Sequence, residues 1–330
     1  MPVTQQRIAD ELGVSVSLVS RALGGRAAAI GVPAPTIERI QQAARRMGYV
    51  PSAAARTLRG AATRTLGVVV MDLTDPFFGP VLGALHGLAH RYDYSLVLVG
   101  FERRRIRAED VRPLTKHRID GLLILGSGPY PLADTPLRAP AVRVGLAAGA
   151  EPATGFWVDE AAAMRSVAEH LWRLGRRRMV YVGGPDATHR RRGEELRRAL
   201  AAAGRSDSLR RLLFTEEPAA TAGLELGRRL LRNPDGVDAV VAANDLIALG
   251  VLRALTAAGR DIPGEIALTG FDDLPLAALT TPALTTVRPP YESLMTAAFD
   301  RLRRDLGQGA AASPVAPPRF VARLIARESA

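Results

Sequence analysis

The chain is expected to fold as two parts of different class: an all-α head of about sixty residues, with a short linking helix, and a larger α/β body in two lobes. Three observations carry this expectation. A pair of capped helix patterns joined by one tight turn opens the chain at 4-TQQRIADELGVSVSLVSRAL-23. From Leu66 onward, short apolar runs alternate with helical stretches, the pattern of parallel sheets covered on both faces. These runs are too many for one ordinary doubly wound sheet, so two sheets are expected.

In the head, Thr4 is the expected N-cap of a first helix. Ile8, Ala9 and Leu12 share one face of it, and Gly13 closes it. Ser15 caps a second helix whose apolar stripe is Val19 and Leu23, with Val16 a further candidate. Two helices joined through one Gly-containing turn form the helix-turn-helix pattern. Gly24 and Gly25 end the second helix, and 26–35 reads as a loop broken by Gly31, Pro33 and Pro35. Thr36 is expected to cap a third helix over 37–47, with Ile37, Ile40 and Ala44 inward and Gly48 closing it. Ser52 then caps a short, alanine-rich helix that Gly60 stops. Helices this short are marginal in water, because nucleation costs more than a few hydrogen bonds return. Residues 53–59 are therefore expected to order only against a partner surface.

In the body, strands are expected at 66–72, 95–101, 121–126, 141–145, 178–184, 238–244, 265–272 and 284–288. Helices are expected near 77–91, 108–118, 161–174, 193–203, 221–232, 245–258 and 293–306. Ligands in such folds sit beyond the carboxyl ends of the strands, where loops converge. The cleft between two lobes is then the expected site.

Charge is distributed unevenly. The formal net charge is +11, and the first sixty residues hold eight arginines against three acids, as suits a head that meets phosphate. Lys116 is the only lysine, and this arginine bias by itself shows neither phosphate nor guanine recognition. The absence of cysteine excludes disulfides and thiolate metal sites. The N-terminus lacks the apolar segment of a secretory signal, and 66-LGVVVM-71 reads as a buried strand rather than part of a membrane span. A soluble, cytoplasmic protein with no membrane partner is expected.

No catalytic residue, metal ligand or cofactor is expected, and so no enzyme. His86 and His90 lack the intervening carboxylate of a zincin helix. Gly126-Ser127-Gly128 lacks the full dinucleotide-loop spacing, and Pro129 and Pro131 follow it.

The run RIADELGVSVSLVSRAL…TIERIQQAARRMGYVPSAAARTLRG resembles the DNA-binding head and hinge of the LacI/GalR family of bacterial transcription regulators. The resemblance continues along nearly the whole chain. It implies that the second helix reads the major groove from its N-terminal positions, Val16, Ser17 and Arg21, with Ser15 and Ser20 nearer phosphate. Arg21 suits a bidentate guanine contact, a phosphate contact or a salt bridge; Val16 suits a thymine methyl or the head's own core; Ser17 suits a base or a phosphate. It also implies that two hinge helices of a dimer meet in the minor groove. Leu58 would be the apolar wedge between base pairs, with Ala55 toward the partner helix. Ordinary amphipathicity is the alternative for Leu58. The sequence departs from the family at Leu18, where Thr is usual, and in the longer loop 26–35.

The body is similar to the periplasmic-binding-protein-like effector domain of that family, on 72-DLTDPFFGP-80, 158-VDEAAAMRSVAEHLWRLGRRRMVYVGGP-185, 242-AANDLIALGVLRAL-255, 268-LTGFDDLPLA-277, 284-LTTVRPP-290 and 324-LIARES-329. The similarity implies a head at 1–50, a hinge at 51–61 and an effector-binding, dimerising domain at 62–330. One lobe would take about 62–160 and 291–318, the other about 161–290 and 319–330. Phe77 and Phe78 follow the first strand, and one could stack on a ring, although Phe77 reads better as core. Arg192 is expected to open a helix and offer a forked donor. Asn244 and Asp245 end a strand, Asp245 reading better as a helix N-cap. Asp272 and Asp273 follow 268-LTGF-271. The resemblance points to Phe78, Arg192, Asn244 and Asp272 as effector contacts. An aromatic face among Arg, Asn and Asp suits a polyhydroxylated ring such as a sugar. Glu195 stands where the family's usual glycine would be, and Pro218 about where several members carry a stacking aromatic.

The function implied is a homodimeric DNA-binding transcription regulator, read first as a repressor. It would place two heads on a pseudo-palindromic operator and respond to a small-molecule effector between its lobes. A cytoplasmic solute-binding or sugar-processing protein with an incidental helical head is the alternative. An activator, or a regulator without a small ligand, also stays open.

Overall fold

The computed structural model describes residues 3–25, 27–49, 62–100, 109–126, 137, 139–145, 155–216, 219–232, 236–308 and 319–330. They fall into two compact units, Met1–Thr63 and Arg64–Ala330. The short helix expected at 52–59, with Ala55 and Leu58, lies outside the described residues, as do Gly60 and Pro218.

The head is set by local capping. Helix α1 (Gln5–Leu12) starts where Thr4 Oγ1 accepts the Arg7 N–H at 3.3 Å, and it ends at Gly13 with φ 66°. Helix α2 (Val16–Leu23) starts where Ser15 Oγ accepts the Leu18 N–H at 3.2 Å. Helix α3 (Ala34–Arg46) begins earlier than Thr36, with Pro33 at its N-cap position and Pro35 in its first turn. The prolines read as breakers are starters, because a first-turn residue has no intrahelical use for its N–H. The loop before α3 tightens into a 3-10 turn at Ala28–Ile30. Ile8, Val19 and Ile40 form the buried centre of the head, filled in by Ala9, Ala22, Ala27, Ala43 and Ala44.

The body holds two parallel sheets. The first, in spatial order β2-β1-β3-β4-β5, comprises β1 (Thr65–Val70), β2 (Ser95–Gly100), β3 (Gly121–Leu125), β4 (Ala141–Gly145) and β5 (Gly155–Trp157). Leu66, Val68 and Val70 face one core while Val69 faces another, so β1 is buried on both sides and reads as a continuous apolar run. Helices α4 (Phe78–Arg91) and α5 (Arg112–Lys116) follow β1 and β2. The second sheet, in order β7-β6-β8-β9, comprises β6 (Met179–Gly183), β7 (Leu209–Phe214), β8 (Ala239–Ala242) and β9 (Ala267–Thr269). Helices α6 (Glu160–Arg173), α7 (Ala187–Ala202), α8 (Ala219–Arg232) and α9 (Asp245–Ala257) belong to this half of the chain. Helix α10 (Tyr291–Asp305) then packs back on α4, β3 and β4 of the first sheet. An antiparallel pair, β10 (Thr286–Arg288) with β11 (Arg323–Ile325), and a bridge between Val158 and Phe320 mark where the chain passes between the halves. Among the described residues no helix is long and apolar enough to cross a membrane.

Strands β5, β7 and β11 were not expected. The first two are edge strands, and Arg210 and Arg211 break the apolar pattern of β7, which is only partly buried. Strand β11 has three residues, opens on Arg323 and is followed closely by Arg327. Helix α7 starts at Ala187, well before the expected 193, because its first turns bury Thr188, His189, Arg192 and Gly193. A polar buried face leaves no apolar stripe to detect.

Helices α8 and α9 meet through glycines. A Cβ on Gly250 would lie 2.6 Å from the Leu224 backbone nitrogen, and one on Gly223 would lie 2.1 Å from the Ile247 carbonyl oxygen. Gly250→Ala should therefore force the helices apart and cost about 1–3 kcal/mol. The check is the urea midpoint of the full chain, which an uncrowded helix pair would leave unchanged.

Candidate functional site

Helix α2 has an inner and an outer face. Val19 and Ala22 face inward, while Ser17 and Arg21 are exposed on the other side. Val16 and Leu18 are half-buried against the head's core, so only part of Val16 is available outward. Ser15 is exposed and uses one lone pair on its cap, which leaves its hydroxyl proton for an acceptor such as phosphate. Ser20 is half-buried on the same helix. Arg46 pairs with Glu11, and Arg39 donates to the Leu12 carbonyl at 3.1 Å, so these two arginines are committed to holding the head together.

In the body, loops from several strand ends converge on a cavity of about 50 Å³ whose lining includes Phe77, Phe78, His189, Arg192, Asn244 and Asp272. The turn after β1 is built by its own aspartates. Asp72 Oδ1 accepts the Thr74 N–H at 2.9 Å, and Asp75 Oδ1 accepts the Phe77 N–H at 3.0 Å. Such Asx turns fix a backbone locally. Here they deliver two phenylalanines whose rings meet edge-on, with centroids 4.9 Å apart. Phe78 is the more buried of the two and belongs to the core, which reverses the expected assignment of Phe77.

Arg192 does not open α7; it sits in the second turn, 2 % exposed. Its guanidinium is fixed on three sides. Nε donates to Glu160 Oε1 at 2.8 Å, Nη1 donates to the Ala243 carbonyl at 2.7 Å, and the Phe271 ring lies 3.5 Å beneath. Nη2 has no hydrogen-bond partner and lies 3.7 Å from Asp272 Oδ1, which also has none. That separation is beyond hydrogen-bond reach. Next to Arg192, Gly193 leaves room for Tyr181, since a Cβ there would lie 2.9 Å from the ring.

Asp272 and Asp273 occupy the left-handed region, at φ 106° and 51°. Non-glycine residues there carry strain that the surroundings must over-determine. The Asp272 N–H donates to the Val287 carbonyl at 2.8 Å, and the Leu274 N–H donates to Asp245 Oδ2 at 2.7 Å. Asp273 pairs with Arg288 and, at 2.6 Å, with Arg327. Tyr291, at the start of α10, donates its hydroxyl to the Asp272 carbonyl at 3.1 Å.

Asp245 is not the N-cap of α9; Asn244 is, its Oδ1 accepting the Ile247 N–H at 2.9 Å. What Asn244 can still present to the cavity is its amide NH2. Asp245 is instead fully buried and takes the Thr286 hydroxyl at 2.5 Å as well as the Leu274 N–H. Burial pushes its carboxyl up to about 7, against the lowering effect of those two hydrogen bonds. Burial also raises Asp272 well above the usual carboxylate range, opposed by Arg192.

Of the five residues expected at the effector site, Phe77, Phe78, Arg192, Asn244 and Asp272 all line this one cavity. Sequence reasoning missed His189 and Glu160. His189 Nδ1 accepts the Gly184 N–H at 3.1 Å, which places the ring proton of the neutral imidazole on Nε2. Glu160 reads in sequence as an ordinary first-turn acid, and nothing local announces partners some thirty residues on.

Residues 168–330 match the family model of the periplasmic binding protein-like domain. A curated relative, the HTH-type transcriptional regulator GntR of Pseudomonas aeruginosa, is 31 % identical over 304 residues, covering 91 % of this chain and 88 % of the relative. Among solved structures, the lac repressor dimer bound to operator and the anti-inducer ONPF superposes with TM-score 0.83 at 24 % identity, over 100 % of this chain and 99 % of that one. A complex of the transcriptional regulator CelR with cellobiose superposes with TM-score 0.67 at 26 % identity, over 99 % of this chain and 100 % of that one.

The raised carboxyl of Asp245 predicts a pH dependence. A carboxyl that holds its proton more tightly when folded stabilises fully below its unfolded value near 3.8, and that stability is lost as pH rises toward 7. Asp245→Asn does not titrate. Its melting temperature relative to the native chain should therefore rise between pH 4 and pH 7, and a difference that stays flat would contradict the assignment.

Proposed function

The chain belongs to the LacI/GalR family of bacterial transcription regulators, and on that premise we propose that it is a DNA-binding repressor whose operator affinity is switched by a small polyhydroxylated effector, such as a sugar, bound between the two halves of its body. The observation that carries the effector site is the pair of orphaned atoms. Arg192 Nη2 and Asp272 Oδ1 are buried, unsatisfied and belong to residues that line one cavity, one from the second turn of α7 and the other from the loop after β9. Such groups cost free energy until a ligand satisfies them. A hydroxyl accepts from the one and donates to the other, with the half-buried Phe77 available for a ring face and Asn244 for a further bond. The cavity is small for a drug-sized ligand, so binding requires the halves to separate before closing on it.

On the head side, exposed Ser17 and Arg21 on α2 are the base-reading candidates, with Ser15, Ser20 and the outer part of Val16 toward the backbone or the groove. The domains would divide as head 1–50, hinge 51–61 and effector domain 62–330, acting as a homodimer in the cytoplasm. Ala55 and Leu58 would serve the minor groove. An effector switches such a protein only if it binds the DNA-competent and DNA-incompetent arrangements unequally.

The direct test is to select genomic fragments bound by the full chain, then screen sugars for release of the bound fragment. Failure to retain any specific fragment would remove the regulator reading. Arg21→Ala should relax preference at one base position per half-site, a discrimination worth about 1–3 kcal/mol. Equal loss on every sequence would mark Arg21 as a phosphate contact. Leu58→Ala should leave the fold intact and weaken specific binding strongly, and unchanged operator affinity would reject the wedge.

A further inference from the structure

Four charged side chains form an alternating chain from the surface to the cavity: Arg191, Glu160, Arg192 and Asp272. Its inner members are buried, Glu160 at 3 % and Asp272 at 4 % exposure. Opposite charges at such depth attract strongly and normally close to hydrogen-bond distance. Arg192 and Asp272 do not, since their nearest atoms stay 3.7 Å apart. Something holds the guanidinium back.

Glu160 is placed to do so. Its Oε1 takes Nε, the neighbour of Nη2 on the same edge of the guanidinium, while the Ala243 carbonyl takes Nη1 on the other edge. The group is thus anchored at both ends and cannot swing Nη2 onto Asp272 without leaving Glu160. Glu160 is itself fixed from two directions. Its Oε2 accepts from Arg191 Nε at 3.0 Å and Nη2 at 2.7 Å, and its backbone is the first residue of α6, where Asp159 caps the helix by accepting the Ala162 N–H at 3.0 Å. We propose that Glu160 is a positioning residue for the effector site: it holds Arg192 off Asp272, so that one guanidinium N–H and one carboxyl oxygen stay open to a ligand hydroxyl. This role rests on the cleft being the effector site.

The test is the crystal structure of two full-length variants, Glu160→Met and Asp272→Asn, together with 13C titration of the Asp272 carboxyl in the native chain and in Glu160→Met. Methionine keeps the length of the side chain without an acceptor, and asparagine tolerates the left-handed backbone at 272. In Glu160→Met, Nη2 and Oδ1 should close to about 3 Å, and Asp272 should titrate at lower pH than in the native chain. In Asp272→Asn, Arg192 should stay on Glu160 with Nε and Oε1 in hydrogen-bond contact. A Glu160→Met protein that keeps the gap open overturns the proposal whatever the titration does, because loss of the Glu160 charge lowers the Asp272 carboxyl by itself. So does an Asp272→Asn protein in which Arg192 leaves Glu160. If Glu160→Met fails to fold, the Asp272→Asn structure decides alone. A ligand later found elsewhere would remove the effector-site reading without altering these distances, so the two failures are separable.

Discussion

The buried guanidinium of Arg192 is the constraint on which the body depends. An arginine taken out of water is costly unless every direction of its charge is met. Glu160 comes from the start of α6, Ala243 from the end of β8, and Phe271 and Asp272 from the loop after β9. These segments are distant in sequence, and the requirement to satisfy one group brings them together. A buried pair of this kind gives modest net stability while intact and costs about 3–5 kcal/mol when one partner is removed. Its main effect is therefore to specify a single arrangement of the strand ends.

Against that fixed group stands a strained loop. Two consecutive aspartates in the left-handed region cost about 1–3 kcal/mol each, and they persist only because neighbours impose the shape. Those neighbours are spread widely: Asp245 on α9, Val287 and Arg288 on β10, Arg327 near the end of the chain and Tyr291 on α10. Tyr291 ties the loop to a helix that packs on the other sheet. The Asp272 loop is thus held by contacts from both halves of the body.

The head works by different means. Its core is three large aliphatic side chains and several alanines, so local capping and arginine bridges supply much of its definition. Packing an alanine-rich core lets the helices approach closely and leaves the outer face of α2 free for polar residues. Structure and charge are separated here, with apolar residues inside and Ser17 and Arg21 outside.

The amino-acid sequence by itself determined what depends on neighbours within a few residues. Thr4 and Ser15 reach only three residues along the chain to cap their helices, and Gly13 and Gly48 close theirs, so these ends could be read directly. The apolar strands at the sheet centres could be read for the same reason, since their pattern is continuous. Tertiary structure decided what depends on partners far along the chain. The start of α7 was hidden because its buried face is polar, and that face is stable only where Glu160 and Asp272 meet it. Edge strand β7 was hidden because its arginines are tolerated at a sheet margin, a position no local pattern records. Candidate residues could be picked one at a time from strand ends. Their convergence on one cavity, and the carboxylate that holds Arg192 in place, arise from charge pairing across the fold, which periodicity cannot encode.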